Sequence, residues 1–317
     1  AFAGGTGTSI DPYQITTPEE LASLSNYLGS GNSGKYFKLM NNINLNVAPY
    51  NTGAGWTPIG TSANAFYGKF DGNYKTISEL FIYSPASTHM ALFGKTASGS
   101  IVENVILTDV NVEGYNYGVA SLVGHNGGTV QNSGVDGGSV KATMRSGGLV
   151  GYNAGVLQRS YSTGVTVTQK AASSDCCMGG LVGGNESGGT INNSYSRSSV
   201  VHTSGGQGAL GGAIGNTYTA GSMSYIYAAS SITSLATLPG SQIGGLAGTG
   251  YVSATNAYWD TTIGYPTSPS GTGKTSLQMK DQSTYSGWDF STIWNIDANT
   301  NGGYPFLRWL SQVNPDT

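Results

Sequence analysis

The feature that most constrains this chain is a short motif that keeps returning. Gly147–Asn153 reads GGLVGYN, Gly179–Asn185 reads GGLVGGN, and Ala120–Asn126 reads ASLVGHN. The related triplets LFG at Leu92, LVG at Leu122, Leu149 and Leu181, AIG at Ala213 and LAG at Leu246 are 30, 27, 32, 32 and 33 residues apart. Self-similarity with a period of roughly 20–50 residues marks a repeat architecture, in which each unit buries its apolar face only against its neighbours. Each unit continues with a second apolar position: Ile101, Val130, Leu157, Ile191 and Met223. The fourth residue beyond it is Val105, Gly134, Tyr161, Tyr195 and Tyr227 in turn, and Tyr258 extends the series.

Short runs such as Val165-Thr166-Val167-Thr168 and Ser198-Ser199-Val200-Val201 lie between these points, punctuated by Gly, Asn and Ser. From about residue 90 to about 270 no helical apolar period persists. The units are short for propeller blades, which need four strands each. A sandwich would not keep like residues in line. The expected fold is all-β: a right-handed parallel β-helix, each unit one coil, like positions stacked on the next. With strands about 4.8 Å apart, six coils make a section roughly 30 Å long.

This architecture predicts ladders. Leu122, Leu149 and Leu181 fill the interior. Asn126, Asn153 and Asn185 fall at one corner, where Asn tolerates left-handed turns and a column of amides can hydrogen-bond along the axis. Tyr161, Tyr195, Tyr227 and Tyr258 form an aromatic column. The glycines permit corners where φ turns positive or a Cβ has no room. The residues after the leading Leu or Ala, namely Phe93, Val123, Val150, Val182, Ile214 and Ala247, are apolar too. Because side chains alternate along a strand, either a corner turns both columns inward or the second forms an external contact stripe needing a cover.

The chain divides by pattern into residues 1–90 (N-terminal cap and first coils), 91–262 (repeat coils) and 263–317 (C-terminal cap). Open strand edges at both ends need closing. Thr17-Pro18-Glu19-Glu20-Leu21 carries a helix start with an N-cap and a capping box, and Leu21, Leu24 and Leu28 share a face, so a short lid helix is expected there. Trp288, Trp294 and Trp309, with Phe290, Tyr304, Pro305 and Phe306, predict an aromatic terminal cap.

Composition narrows the function. Glycine numbers 50 of 317 residues, charged residues make up 9%, and the net charge is −3. With no basic run, nucleic acid is not an expected partner. No stretch of 18 apolar residues appears, so membrane insertion is not expected either. Ala1–Gly5 contain no charged-then-apolar leader, so an exported form is expected to have lost its signal. Abundant Ser, Thr, Asn and Tyr with little Lys or Glu favour a secreted or cell-surface location. Cys176 and Cys177 are adjacent, a spacing at which ordinary disulfide geometry is hard to reach, so no disulfide framework is expected.

The chain as a whole resembles bacterial and archaeal surface proteins with GLUG-type repeats, which also occur beside the catalytic region of IgA-cleaving metallopeptidases. The resemblance rests on Gly148–Gly151 and Gly180–Gly183, with weaker copies at Ser121–Gly124, Gly212–Gly215 and Gly245–Gly248. Gly4–Ser25, Tyr36–Leu45, Trp56–Gly60 and Phe66–Leu80 resemble the usual beginning of such regions, and Tyr258–Thr261 and Tyr304–Trp309 their usual ending. It implies a right-handed β-helix displayed outside the cell. Peptidase activity does not carry over, because His-Glu-x-x-His is absent and His89, His125 and His202 are far apart in sequence.

Glycoside cleavage needs two close carboxylates. Glu103, Asp109, Glu113 and Asp136 fall on neighbouring coils, with Lys141 and Arg145 not far along, but form no stacked acidic column. Asp71 reads as a turn residue, Asp260 as a local hydrogen-bonding residue, and His125 as a solvated corner residue. Gly271–Thr275 lacks the first Gly and the helix of a phosphate loop. No catalytic residue, cofactor or metal ligand is therefore assigned. The leading expectation is a non-catalytic structural or adhesive surface module, self-assembling into filaments or matrix, whose partner is itself, end to end or side to side, or surface glycans or a host surface. The alternatives are a carbohydrate-binding module, with tips around Gln169–Met178 and Leu235–Gln242, and a polysaccharide lyase or hydrolase.

Overall fold

The computed structural model describes residues 1–170, 177–186, 188–203, 208–234, 242–250 and 253–313. The chain winds into a parallel β-solenoid. One long sheet stacks Tyr13–Ile15, Tyr36–Leu39, Lys69–Ser78, Ile101–Glu113, Gly134–Ala142, Tyr161–Gln169, Thr190–His202, Ser222–Ala228, Tyr258–Asp260 and Thr272–Lys274 in chain order. A second sheet stacks Phe93–Thr96, Val123–Asn126, Val150–Asn153, Val182–Asn185, Ile214–Thr217 and Ala247–Gly250. A third, shorter one carries Ser146–Gly147, Cys177–Gly179, Ala209–Gly211 and Ile243–Gly244. Among the described residues the named strand pairs are parallel, apart from Trp294–Asn295 against Phe306–Leu307.

The recurring motif turns the corner between the third and second sheets. Gly148 and Leu149 form the bend, and Val150 starts the next strand. Leu92, Leu122, Leu149 and Leu181 are fully buried, and so are Phe93, Val123, Val150, Val182 and Ile214. The corner therefore turns both columns into the interior, and those five residues are not an external contact stripe. The motif glycines serve close approach rather than positive φ: a Cβ on Gly148 would lie 2.2 Å from the carbonyl oxygen of Gly180 on the next rung.

Asn126, Asn153 and Asn185 stand in register and are buried. Asn126 Nδ2 donates to Asn153 Oδ1 at 2.9 Å, and Asn153 Nδ2 to Asn185 Oδ1 at 2.9 Å. Thr96 Oγ1 caps the column by donating to Asn126 Oδ1. These asparagines lie in extended strands, not at left-handed turns. The left-handed corner belongs to another column: Asn104, Asn132, Arg159, Asn193, Tyr225 and Asn256 all have φ between 46° and 58°. There the long strands bend outside the apolar row Val102, Val130, Leu157, Ile191 and Met223. Val102, not Ile101, is the inward residue of its rung, so Ile106 rather than Val105 precedes Gly134 in the tyrosine column.

At the N-terminal end the predicted helix α1 (Pro18–Ala22) forms with its capping box closed, Thr17 and Glu20 bonding each other's backbone N–H. Leu21 and Leu24 are buried in the main core, and Leu28 is half-buried. Gly4 bridges Gln14 antiparallel, so the first residues lie against the first strand. At the other end Gly245 N–H donates to Thr267 O, and Ser268 Oγ accepts from the N–H groups of Leu246 and Ala247. Thr272–Lys274 then adds the last strand.

The aromatic C-terminal segment is not a cap on the rod end. After helix α2 (Ser276–Met279) it runs back along the flank, over the tyrosine column. Tyr161, Tyr195 and Tyr227 are buried in a second apolar cluster, separate from the interior, with Met279, Tyr285, Trp288, Trp294, Tyr304 and Leu307. Three indoles seat this strap on the left-handed corner: Trp288 Nε1 donates to Asn256 O, Trp294 Nε1 to Asn193 Oδ1, and Trp309 Nε1 to Arg159 O. Asp260, fully buried, ties the strap to the last strand by accepting from Ser276 Oγ and Tyr304 Oη, each at 2.6 Å.

Two substitutions probe these columns. Asn153→Ala leaves Asn126 Nδ2, Asn185 Oδ1 and the carbonyls of Gly155 and Thr190 short of a buried partner. It is expected to cost about 3 kcal/mol, read as a lowered urea midpoint. Trp294→Ala empties the fully buried centre of the strap and is expected to cost about 3–5 kcal/mol. If the strap is a separate layer, bound 8-anilinonaphthalene-1-sulfonate fluorescence rises while far-UV circular dichroism keeps its β signal.

Candidate functional site

The tyrosine column is a rung-by-rung ring stack. Tyr161 and Tyr195 have centroids 5.3 Å apart and planes at 12°; Tyr195 and Tyr227 are at 4.9 Å and 4°. Tyr258 is in register with Tyr227, but its ring meets Tyr285 and Trp288 of the strap. Burial pushes the hydroxyls of Tyr161, Tyr195 and Tyr227 well above the usual phenol range. They act as neutral donors and acceptors: Tyr161 Oη donates to Asp136 at 2.7 Å, and Tyr227 Oη to Pro305 O at 2.6 Å. With its rings covered, this column is cohesive and offers no open stacking platform.

The four acids marked in the sequence have separate engagements. Glu103 accepts from Gln131 Nε2 at 2.6 Å, and Asp136 from Tyr161 and Thr163. Glu113 pairs with Lys170. Asp109 is exposed at its own left-handed turn, φ 53°. Asp71 Oδ1 accepts from Asn73 N–H at 2.7 Å, as a turn residue does. Among the described residues no group of three or more His, Cys, Asp or Glu is placed to hold a metal. Cys177 is buried, whereas Cys176 and most of the two proposed tips lie outside the described residues.

His125 is not a solvated corner residue. On the outer face of the second sheet it stands in register between Lys95 and Tyr152, and its ring lies 6.1 Å from His89. Tyr117 packs on Tyr152 at 4.9 Å, and the Arg145 guanidinium lies over both rings. Tyr117 Oη donates to Glu186 at 2.9 Å, while the other Glu186 oxygen lies 3.8 Å from His125 Nε2. Burial outweighs that carboxylate: both imidazoles are lowered to about 4, His89 also by His125 and Lys95, His125 also by Lys95.

A different feature escaped the sequence. The loop from Ser9 to Pro12 walls a cleft of about 350 Å³ at the N-terminal end of the long sheet. Tyr36, Lys38, Lys69, Asp71 and Glu103 line it. Lys69 Nζ lies 5.8 Å from the Tyr36 ring centre, and Lys38 Nζ 3.9 Å from Asp71. These residues come from the non-repeating first coils, and the only signal for them was Asp71 and Glu103 occurring one coil apart.

No family model matches the chain. It is 38% identical, over 139 residues, to an Evansella cellulosilytica protein provisionally named a Gly-rich membrane protein, a match covering 43% of this chain and 16% of that one. It is 33% identical, over an alignment of 317 residues, to Halomucin of Haloquadratum walsbyi, covering 96% of this chain and 3% of that one. The chain therefore spans only a small part of the curated relatives it matches. Its fold is shared with the crystal structure of a Bacteroides ovatus protein provisionally titled an immunoglobulin A1 protease, at a TM-score of 0.71 over 97% of this chain and 95% of that one, with 19% identity. That likeness concerns the solenoid alone. Among the described residues no helix is long and apolar enough to cross a membrane.

The two histidines set a pH dependence. Unfolded, each takes up a proton near 6.5; folded, each resists until about 4. Between those values the unfolded chain binds more protons, so stability is full above about pH 6.5 and falls as pH drops toward 4. The urea midpoint is expected to decline from about pH 7 to about pH 5, and the double variant His89→Gln, His125→Gln to flatten that decline.

Proposed function

We propose that this chain is a structural and adhesive module of a long cell-surface protein, and that it is not an enzyme. The observation that carries the reading is the match with Halomucin: nearly the whole chain aligns with 3% of a far longer protein. The chain itself is a solenoid whose first strand and last motif rung are each bonded by its own segments. A closed unit within a much longer chain suits a building block. The name of the Evansella relative, a membrane protein, supports a place at the cell envelope.

The engagements of the acids support the absence of catalysis, since each is held in its own hydrogen bond, ion pair or turn. Of the partners considered from the sequence, a glycan surface is favoured over end-to-end self-association, because Gly4 bonds the edge of the first strand and Thr267 and Ser268 bond the last rung at Gly245–Ala247, backbone that strand-to-strand stacking would use. GLUG-type repeats remain the best description of the motif.

Antibody raised to the chain is expected to label intact source cells by immunogold microscopy. The purified protein is expected to release neither unsaturated uronates nor reducing ends from a panel of polysaccharides. Label that appears only after permeabilisation would remove the surface role, and catalytic turnover would remove the non-enzymatic one.

A further inference from the structure

The charged cleft opens onto two outward columns that run along the rod. The first is Lys38, Asp71, Glu103, Gln131, Gln158, Asn192 and Ser224, in register over seven rungs. The second, on the other side of the buried row containing Val130 and Leu157, is Lys69, Ile101, Thr129, Val156, Thr190 and Ser222. Gln131, Gln158, Asn192, Ile101, Thr129 and Val156 are all half-exposed. The face thus carries a polar amide and carboxylate column beside one of branched apolar and hydroxyl side chains.

From this arrangement we infer that the face binds an extended, neutral, β-linked polysaccharide, with one ring in the cleft and the following rings along the columns. This deepens the surface-module reading and rests on it. Three properties select the ligand. First, rungs lie about 4.8 Å apart, close to the advance of one ring in an extended β-linked chain, so successive sugars meet successive rungs. Second, a pyranose presents apolar C–H faces and hydroxyl edges, which match the paired columns. Third, the cleft balances two ammonium groups, Lys38 and Lys69, against two carboxylates, Asp71 and Glu103, so it does not select a charged ligand.

The polar column is organised before any ligand arrives. Gln158 Nε2 donates to Gln131 Oε1 at 2.8 Å, Gln131 Nε2 donates to Glu103 Oε2 at 2.6 Å, and Arg159 steadies Gln131 from the corner at 3.2 Å. An amide has two donors and an acceptor oxygen, so these bonds fix each side chain while leaving capacity for sugar hydroxyls. Side chains already ordered lose less entropy on binding. Tyr36 supplies a ring wall in the cleft, an apolar body with a polar tip that suits the C–H face and hydroxyl edge of a sugar.

The test is isothermal titration of the full chain with cellohexaose, maltohexaose and cellobiose. Cellohexaose is expected to bind about tenfold more tightly than maltohexaose, whose α-links curve the chain off the axis. Glu103→Ala is expected to weaken cellohexaose about tenfold. Gln158→Ala, three rungs from Asp71, is expected to weaken cellohexaose and leave cellobiose unchanged. Lys38→Ala, at a side chain 38% exposed, gives a cleft variant that folds even if Glu103→Ala does not, and is expected to lose affinity as well. Absence of heat with cellohexaose, equal binding of maltohexaose, or affinity unaffected by the cleft variants would each overturn the inference. None of these results would alter surface labelling, so the two readings fail separately.

Discussion

Parallel register between rungs is the constraint on which the rest of the structure depends. In a stacked ribbon, a slip of one residue turns every inward side chain outward. Apolar columns oppose that slip but resist a two-residue one only weakly, since Val, Leu and Ile substitute for one another. The Asn126–Asn153–Asn185 column resists it strongly: a displaced carboxamide would lose its partners above and below inside a dry core, where unpaired polar groups are costly. With only 9% charged residues, the chain relies for cohesion on neutral ladders of this kind. The serines follow the same logic, as in Ser162 with Ser198 and Ser196 with Ser230 inside the long sheet.

A solenoid solves its interior cheaply and leaves a problem outside. Tyr161, Tyr195 and Tyr227 stack well on one another, yet an uncovered row of rings on a rod face would be an aggregation-prone patch. The strap answers this locally. Its indoles bond to corner positions on separate rungs, spanning from Asn256 back to Arg159. Arg197 joins both layers, its guanidinium stacked on Tyr304 and bonded to Asn301 Oδ1. The Tyr227 hydroxyl, between Pro305 O and Asn301 Nδ2, pins the middle of the strap.

The solenoid, the leucine column, the asparagine ladder and the tyrosine column were legible because each repeats at a coil interval. What could not be read lacks that repetition. The left-handed corner is held by Asn104, Asn132, Asn193 and Asn256 but by Arg159 and Tyr225 on two rungs, and those exceptions broke a column that the asparagines, which favour that conformation, would otherwise have announced. The strap meets Arg159 from Trp309, 150 residues away, and clustered tryptophans announce a packed layer without saying against what. The charged cleft is assembled from the first, irregular coils, where alignment of units gives no guide. His89 and His125 were judged apart by sequence distance, whereas one rung of winding makes them neighbours.

The strap also ties together rungs that the winding leaves independent. Each rung of a solenoid touches only its neighbours, yet Trp288, Trp294 and Trp309 bond to corners on separate rungs, from Asn256 to Arg159. Loosening one of those rungs therefore loosens the layer that covers the others, so this stretch of the rod opens as one cooperative block rather than coil by coil.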